Sequence, residues 1–113
     1  MKEIQAIVKE ALSQGVIEAL HGLPHFPGLT LSPCRGQGRG KGRGGAWQAT
    51  EDVLQAPQYV RFDIYCSDGQ VDEIVGTLRN AAHTGLPGDG IIMVVDLPRV
   101  VRIRTGEEGD QAL

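Results

Sequence analysis

Three stretches of this 113-residue chain combine residue types that can hold a phosphate. Gly36, Gln37, Gly38 and Arg39 open a glycine-rich run, where small residues let backbone N–H groups turn toward an anion and the arginine adds charge. The plain alternative is a linker whose arginines only keep it in solution. Residues 84–90 carry three glycines beside Thr84 and Asp89, enough for a tight turn with exposed amides, or for an ordinary helix-to-strand turn. Arg102 and Arg104 flank Ile103. On an extended strand both guanidiniums share one side, suited to forking a phosphate, with Ile103 turned inward. Two solvated arginines are the competing account, and the readings separate only if the glycine turns lie nearby.

Other chemistry is poorly supported. His21, His25 and His83 raise the question of a metal, but Pro24 interrupts the helix that would align the first two, and no Cys or carboxylate stands at ligand spacing. No metal site is expected, and surface histidines are the better account. Ser13, Ser32 and Ser67 lack a nucleophile-elbow context, while Asp68, Asp72 and Glu73 read as first-turn helix residues favoured by the dipole. No catalytic residue is assigned and an enzyme is not expected. The run from Arg35 to Gly45 also resembles an RGG-type RNA-binding segment, with Trp47 available for stacking. Four charges and one aromatic are a weak footprint on a chain of net charge −3, so no nucleic acid partner is expected.

These stretches need a scaffold, and the length allows one domain over 1–113. With 41% hydrophobic residues it is globular, yet a domain this small buries only roughly two thirds of its unfolded surface, so oligomerisation would help it. No apolar run approaches a membrane span and the first ten residues do not read as a secretory signal. A soluble, cytosolic protein without membrane insertion is expected. Cys34 and Cys66 are read as reduced thiols.

Alternation over 2–8 predicts a central strand, and Leu12, Val16, Ile17 and Leu20 recur at helical spacing over 9–23. Residues 29–34 predict a second strand, which Pro33 confines to an edge or bulge. Glycine then fills six of the ten positions from Gly36 to Gly45, predicting a long mobile loop. Residues 59–66 return antiparallel as a third strand. Pairing near 37 with 58 places Cys34 opposite Arg61 and Cys66 near Leu29; about 16 Å of strand then separates the thiols and forbids a disulfide. Ser67 and Gln70 have capping-box spacing ahead of a helix carrying Val71, Ile74, Val75, Leu78 and Ala81. Residues 91–95 and a short stretch over 99–104 read as strands, before an acidic tail. The order βαββαβ predicts an α+β, ferredoxin-like sheet with both helices on one face, a fold that decides no function by itself.

The three phosphate candidates occur in the order and spacing of the PII signalling family. Residues 1–9, 28–31, 36–39, 84–90 and 102–107 carry the likeness, which resembles the family over nearly the whole chain. The resemblance implies a homotrimer with an adenine nucleotide (ADP, AMP or ATP) in each cleft between neighbours, and a T-loop over 39–57 that docks on targets. It implies that Ile7 and Thr30 line the adenine side, with Asp63 in the same nucleotide set. Gly36, Gln37, Gly38 and Arg39 would form the loop base and Gly88, Asp89 and Gly90 the phosphate turn. Arg102 and Arg104, in a C-terminal segment over 99–113, would reach over from the adjacent subunit. The implied setting is the prokaryotic cytoplasm, in association with a membrane transporter or a carboxysome system.

The departures from the family carry information. The Gln that usually follows the loop-base Arg, helping to hold magnesium and 2-oxoglutarate, is Gly40 in this chain, and the Lys after the Gly-Asp-Gly turn is Ile91. Tyr59 stands where the family places a lysine for the 2-oxoglutarate carboxylate, and Asp52 where many members have a modifiable tyrosine. Losing a charged contact costs roughly 1.5–3 kcal/mol, so ATP and magnesium should weaken most and ADP or AMP should be favoured. Arg39, Gly40, Lys41 and Arg43 form an expected anion site, with bicarbonate as co-effector and a transporter or transport regulator as partner. A nitrogen-regulatory protein sensing ATP and 2-oxoglutarate, and controlling an ammonium transporter, is one alternative, and an RGG-loop RNA-binding protein is the other.

Overall fold

The computed structural model describes residues 1–38 and 57–113. The expected anion site at Arg39, Gly40, Lys41 and Arg43, with Trp47, Asp52 and nearly all of the T-loop, lies outside the described residues.

Strand β1 spans Lys2–Lys9, and its alternation is realised. Ile4, Ala6 and Val8 are at most 1% exposed, whereas Glu3, Gln5, Ile7 and Lys9 point the other way. A 3₁₀ turn at Glu10–Leu12 leads into α1, Ser13–His21, which buries Val16 and Leu20. Strand β2, Thr30–Arg35, pairs antiparallel with β3, Gln58–Cys66. Ser67 then starts the next helix as its spacing predicts: its amide donates to Gln70 Oε1 at 3.3 Å, and Gln70 Nε2 reaches on to the His25 carbonyl at 3.0 Å. Helix α2, Val71–Ala82, buries Ile74, Leu78 and Ala82, and β4 covers Gly90–Asp96.

The sheet order is β2-β3-β1-β4 with every neighbour antiparallel, so β1 is central and the proline-bearing β2 is an edge. Both helices pack on one face, where Val16, Leu20, Ile74 and Leu78 meet Ile4, Ala6, Phe62 and Ile64. This is the expected α+β, ferredoxin-like fold. The other face displays Ile7, Tyr65, Ile91 and Val95, and the C-terminal residues Val100, Arg102, Ala112 and Leu113 come against it beside Asp63 and Tyr65. No helix among the described residues is long and apolar enough to cross a membrane.

Two expectations fail. The β2–β3 register differs by two residues, so Cys34 faces Tyr59 and Cys66 lies three residues past the last pair, Thr30 with Asp63. A two-residue slip keeps every side chain on its face, which is why alternation could not detect it. Both thiols are free, as expected. Residues 99–104 do not join the sheet. A single bridge between Val101 and Glu108 closes a turn, the Arg102 amide donates to the Glu107 carbonyl at 2.9 Å, and Ile103 is fully exposed where an inward side chain was expected. A 3₁₀ turn at Gly109–Ala112 then tucks Ala112 into the structure.

Candidate functional site

The turn over 84–90 is held by one carboxylate. Asp89 accepts the amides of Thr84 at 2.8 Å and Gly85 at 3.0 Å, the Thr84 hydroxyl, and the Lys9 ammonium at 3.2 Å; His83 Nδ1 lies 3.6 Å away. These donors hold the Asp89 carboxyl far below the ordinary carboxylate range, the Thr84 bonds contributing most. The Leu86 amide donates to Thr84 Oγ1 at 3.1 Å. The amides of Thr84, Gly85 and Leu86 are therefore engaged inside the turn, and Asp89 shapes the loop. Gly85, Gly88 and Gly90 all have positive φ. Gly90 is also sterically obligatory: a Cβ there would drive into the Ile7 carbonyl oxygen across the β1–β4 pair.

Side chains from the open sheet face gather beneath this turn. Lys9 and Tyr59 are opposite one another on β1 and β3, and the Tyr59 hydroxyl donates to the Gly88 carbonyl at 3.1 Å. Ile7 lies between Arg61 and Ile91, and Ile91 is 57% exposed. The loop base approaches from the other side. The Gly36 amide donates to the Pro57 carbonyl at 3.3 Å, and Gln37 and Gly38 are exposed beyond it. Gln58, its amide oriented to satisfy both neighbours, donates to Glu10 Oε2 at 2.7 Å and accepts from Arg35 Nη2 at 2.9 Å. A cavity of about 390 Å³ opens beside these groups, with Cys34 and Tyr59 in its wall.

A second cluster sits further along the sheet. Thr30 and Asp63 are paired across β2 and β3, and together with Tyr65 and Arg102 they line a cleft of about 310 Å³. Asp63 is the one buried charged residue among those described. Its carboxylate takes Arg61 Nε at 3.2–3.3 Å and Nη2 at 3.1 Å, which raises the guanidinium pKa. Burial pushes the Tyr65 phenol up. Arg104 is exposed and does not line this cleft.

The expected nucleotide residues thus fall into two groups within one chain. Gly36, Gln37, Gly38, Gly88, Asp89 and Gly90 belong to the turn and loop-base side, Thr30, Asp63 and Arg102 share the second cleft, and Ile7, opposite Arg61, stands between them. Four strand residues separate Tyr59 from Asp63, about 14 Å. Ile7 lies opposite Arg61, two residues along β3 from the Asp63 that pairs with Thr30.

Sequence reasoning missed the convergence of Lys9 and Tyr59 on Gly88, the Glu10–Gln58–Arg35 bridge and the Arg61–Asp63 pair. Only the last had a local signal, opposite charges two apart on a strand. His21, His25 and His83 are exposed, and among the described residues no three His, Cys, Asp or Glu gather as a metal-binding set.

Comparison with known proteins covers both groups. The profile described as "Nitrogen regulatory protein P-II" matches residues 1–107. "Nitrogen regulatory protein P-II" of Azospirillum brasilense and "Nitrogen regulatory protein GlnK" of Escherichia coli strain K12 are each 38% identical over 113 residues, covering all of both chains. "Nitrogen regulatory protein P-II 1" of the same Escherichia coli strain is 40% identical over 113 residues, again end to end. A match that runs through the sheet, the glycine turn and the Arg102 segment places this chain in the nitrogen regulatory protein P-II family.

Proposed function

We propose that this chain is a non-enzymatic signal-transduction protein that binds adenine nucleotides in clefts between the subunits of a homotrimer. ADP or AMP is favoured over ATP, a small anion such as bicarbonate is the co-effector, and the T-loop over 39–57 conveys the state to an inorganic-carbon transporter or its regulator. The observation that carries the reading is the division of the nucleotide set. One chain offers the glycine turn at one place and Thr30, Asp63 and Arg102 at another, with Tyr59 beneath the turn about 14 Å along β3 from Asp63. A neighbouring copy can bring the two halves against one ligand, and the sheet face bearing Ile7, Tyr65, Ile91 and Val95 gives copies an apolar surface to share.

The nucleotide preference rests on Ile91, whose apolar side chain donates nothing to an outer phosphate, and on Gly40. The anion preference rests on Tyr59, whose hydroxyl is committed to the Gly88 carbonyl. The ligand acts by shifting the population of loop conformations, which requires different affinities for the docked and free shapes. Calorimetry with ADP, AMP and magnesium-ATP, alongside light scattering, tests this. A monomer, or no affinity for any adenylate, defeats the proposal; magnesium-ATP binding tenfold tighter than ADP defeats the preference.

A second reading is favoured by the relatives' names, all of which are nitrogen regulatory proteins. In that reading the chain senses ATP and 2-oxoglutarate and controls an ammonium transporter. Titration with bicarbonate and with 2-oxoglutarate, nucleotide present, decides between the two. Tight binding of 2-oxoglutarate alone assigns the protein to nitrogen control.

A further inference from the structure

Tyr59 touches two parts of the molecule that the sequence keeps apart. Its hydroxyl donates to the Gly88 carbonyl at 3.1 Å, and a methyl group added at Gly88 would lie 3.3 Å from that hydroxyl. Its ring edge faces the loop base, where a Cβ built on Gly36 would lie 3.8 Å from Tyr59 Cδ2. Gly36 is in turn tied to Pro57 by its amide, and the next residue, Gln58, bridges Glu10 and Arg35. The two ends of the β2–β3 arm are therefore closed by backbone and side-chain bonds. The Tyr59 to Gly88 bond joins this closure to the 84–90 turn. Lys9, opposite Tyr59, reinforces the turn from β1 through Asp89 and Thr84.

We propose that Tyr59 is a positioning residue that fastens the arm root to the glycine turn, so that an adenylate on the turn orders the arm root through the Tyr59–Gly88 bond. The inference rests on the adenylate reading above for its ligand, while the fastening itself needs no ligand. A phenol suits this role as a lysine would not. Its single hydroxyl proton goes to a protein carbonyl and its rigid ring reaches the loop base, whereas an ammonium on a flexible stem would direct charge toward an anion. The same residue thus withdraws one anion contact from the site and supplies an internal link.

Amide hydrogen exchange on the intact chain tests this, comparing wild type with Tyr59→Phe, which keeps the ring and deletes the donor. Without ligand, exchange in Tyr59→Phe should accelerate about fivefold both at Gly36 and at Thr84 and Gly85, the ratio equivalent to a typical net hydrogen bond. With ADP at a concentration saturating each protein, the Gly36 amide should slow in wild type and stay unresponsive in Tyr59→Phe. Unchanged exchange at both places without ligand overturns the fastening. A Tyr59→Phe protein in which ADP still slows Gly36 overturns the transmission, as does a wild type that binds ADP with no response there. A wild type that binds no adenylate overturns the reading of the ligand and the transmission with it, and the ligand-free comparison then decides the fastening alone.

Discussion

Gly90→Ala puts a methyl group where the β1–β4 pairing has no room for one. The added Cβ meets the backbone oxygen of Ile7, which cannot rotate away as a side chain could, and the φ of +104° is one that L side chains rarely adopt. The conformational term costs about 1–3 kcal/mol. Relieving the collision pulls the first residue of β4 away from Val8 and weakens one or two ladder bonds, each worth about 1 kcal/mol. A total of about 2–5 kcal/mol is a large share of the 5–15 kcal/mol that typically holds a domain together. In urea unfolding followed by far-UV circular dichroism at one protein concentration, an m-value near 2 kcal/mol/M turns this into a midpoint lowered by about 1–2.5 M. Gly88→Ala is the comparison: it shares the positive φ, but its Cβ meets only the ends of the Tyr59 and Lys9 side chains, so its loss should be smaller. A Gly90→Ala protein within about 1 kcal/mol of wild type, on the scale of an ordinary surface change, refutes the steric argument.

Other substitutions separate the remaining physical terms. Gly15 lies in α1 with open space around a built Cβ and no positive φ, so Gly15→Ala should stabilise by about 0.5–1 kcal/mol, read as a raised urea midpoint. Asp89 has its folded pKa depressed, so its stabilisation is complete above the unfolded carboxylate value near 3.9 and is lost as pH falls toward the folded value. The midpoint gap between wild type and Asp89→Asn should hold from pH 7 to pH 5 and shrink below about pH 4; a constant gap would show that the carboxylate charge is immaterial. Ile91→Lys restores a cation at an exposed place opposite Ile7, and calorimetry should show magnesium-ATP gaining about tenfold or more while AMP changes little.

The sequence read well wherever the signal was local. Ile4, Ala6 and Val8 alternate because one face of β1 is buried, and Ser67 with Gln70 marks the start of α2 because those side chains satisfy backbone donors within one turn. The β2–β3 register had no such signal. It is set by where Gly36 meets Pro57 across a long connection, and a shift of two leaves the alternation intact. The stretch 99–104 misled because alternation around Ile103 speaks only to extended backbone, whereas the bonds of Arg102 close locally onto Gly106 and Glu107. The phosphate candidates were legible as glycine and arginine content. Their division was not, because it follows from which strand each adjoins, and the engaged amides of 84–90 follow from the Asp89 side chain folding back on its own turn.

A protomer that carries both halves of a ligand site in separate places makes complementation a question of neighbours in a ring. In the proposed trimer, mix one copy ruined at the glycine turn with another ruined at Arg102: each pure assembly lacks every working junction. Any mixed ring of three contains one place where a sound turn faces a sound Arg102, whichever copy is in the majority. Equilibrium dialysis should count one adenylate per mixed ring and none in either parent, and a count of none throughout would mean that both halves serve the ligand from the same chain.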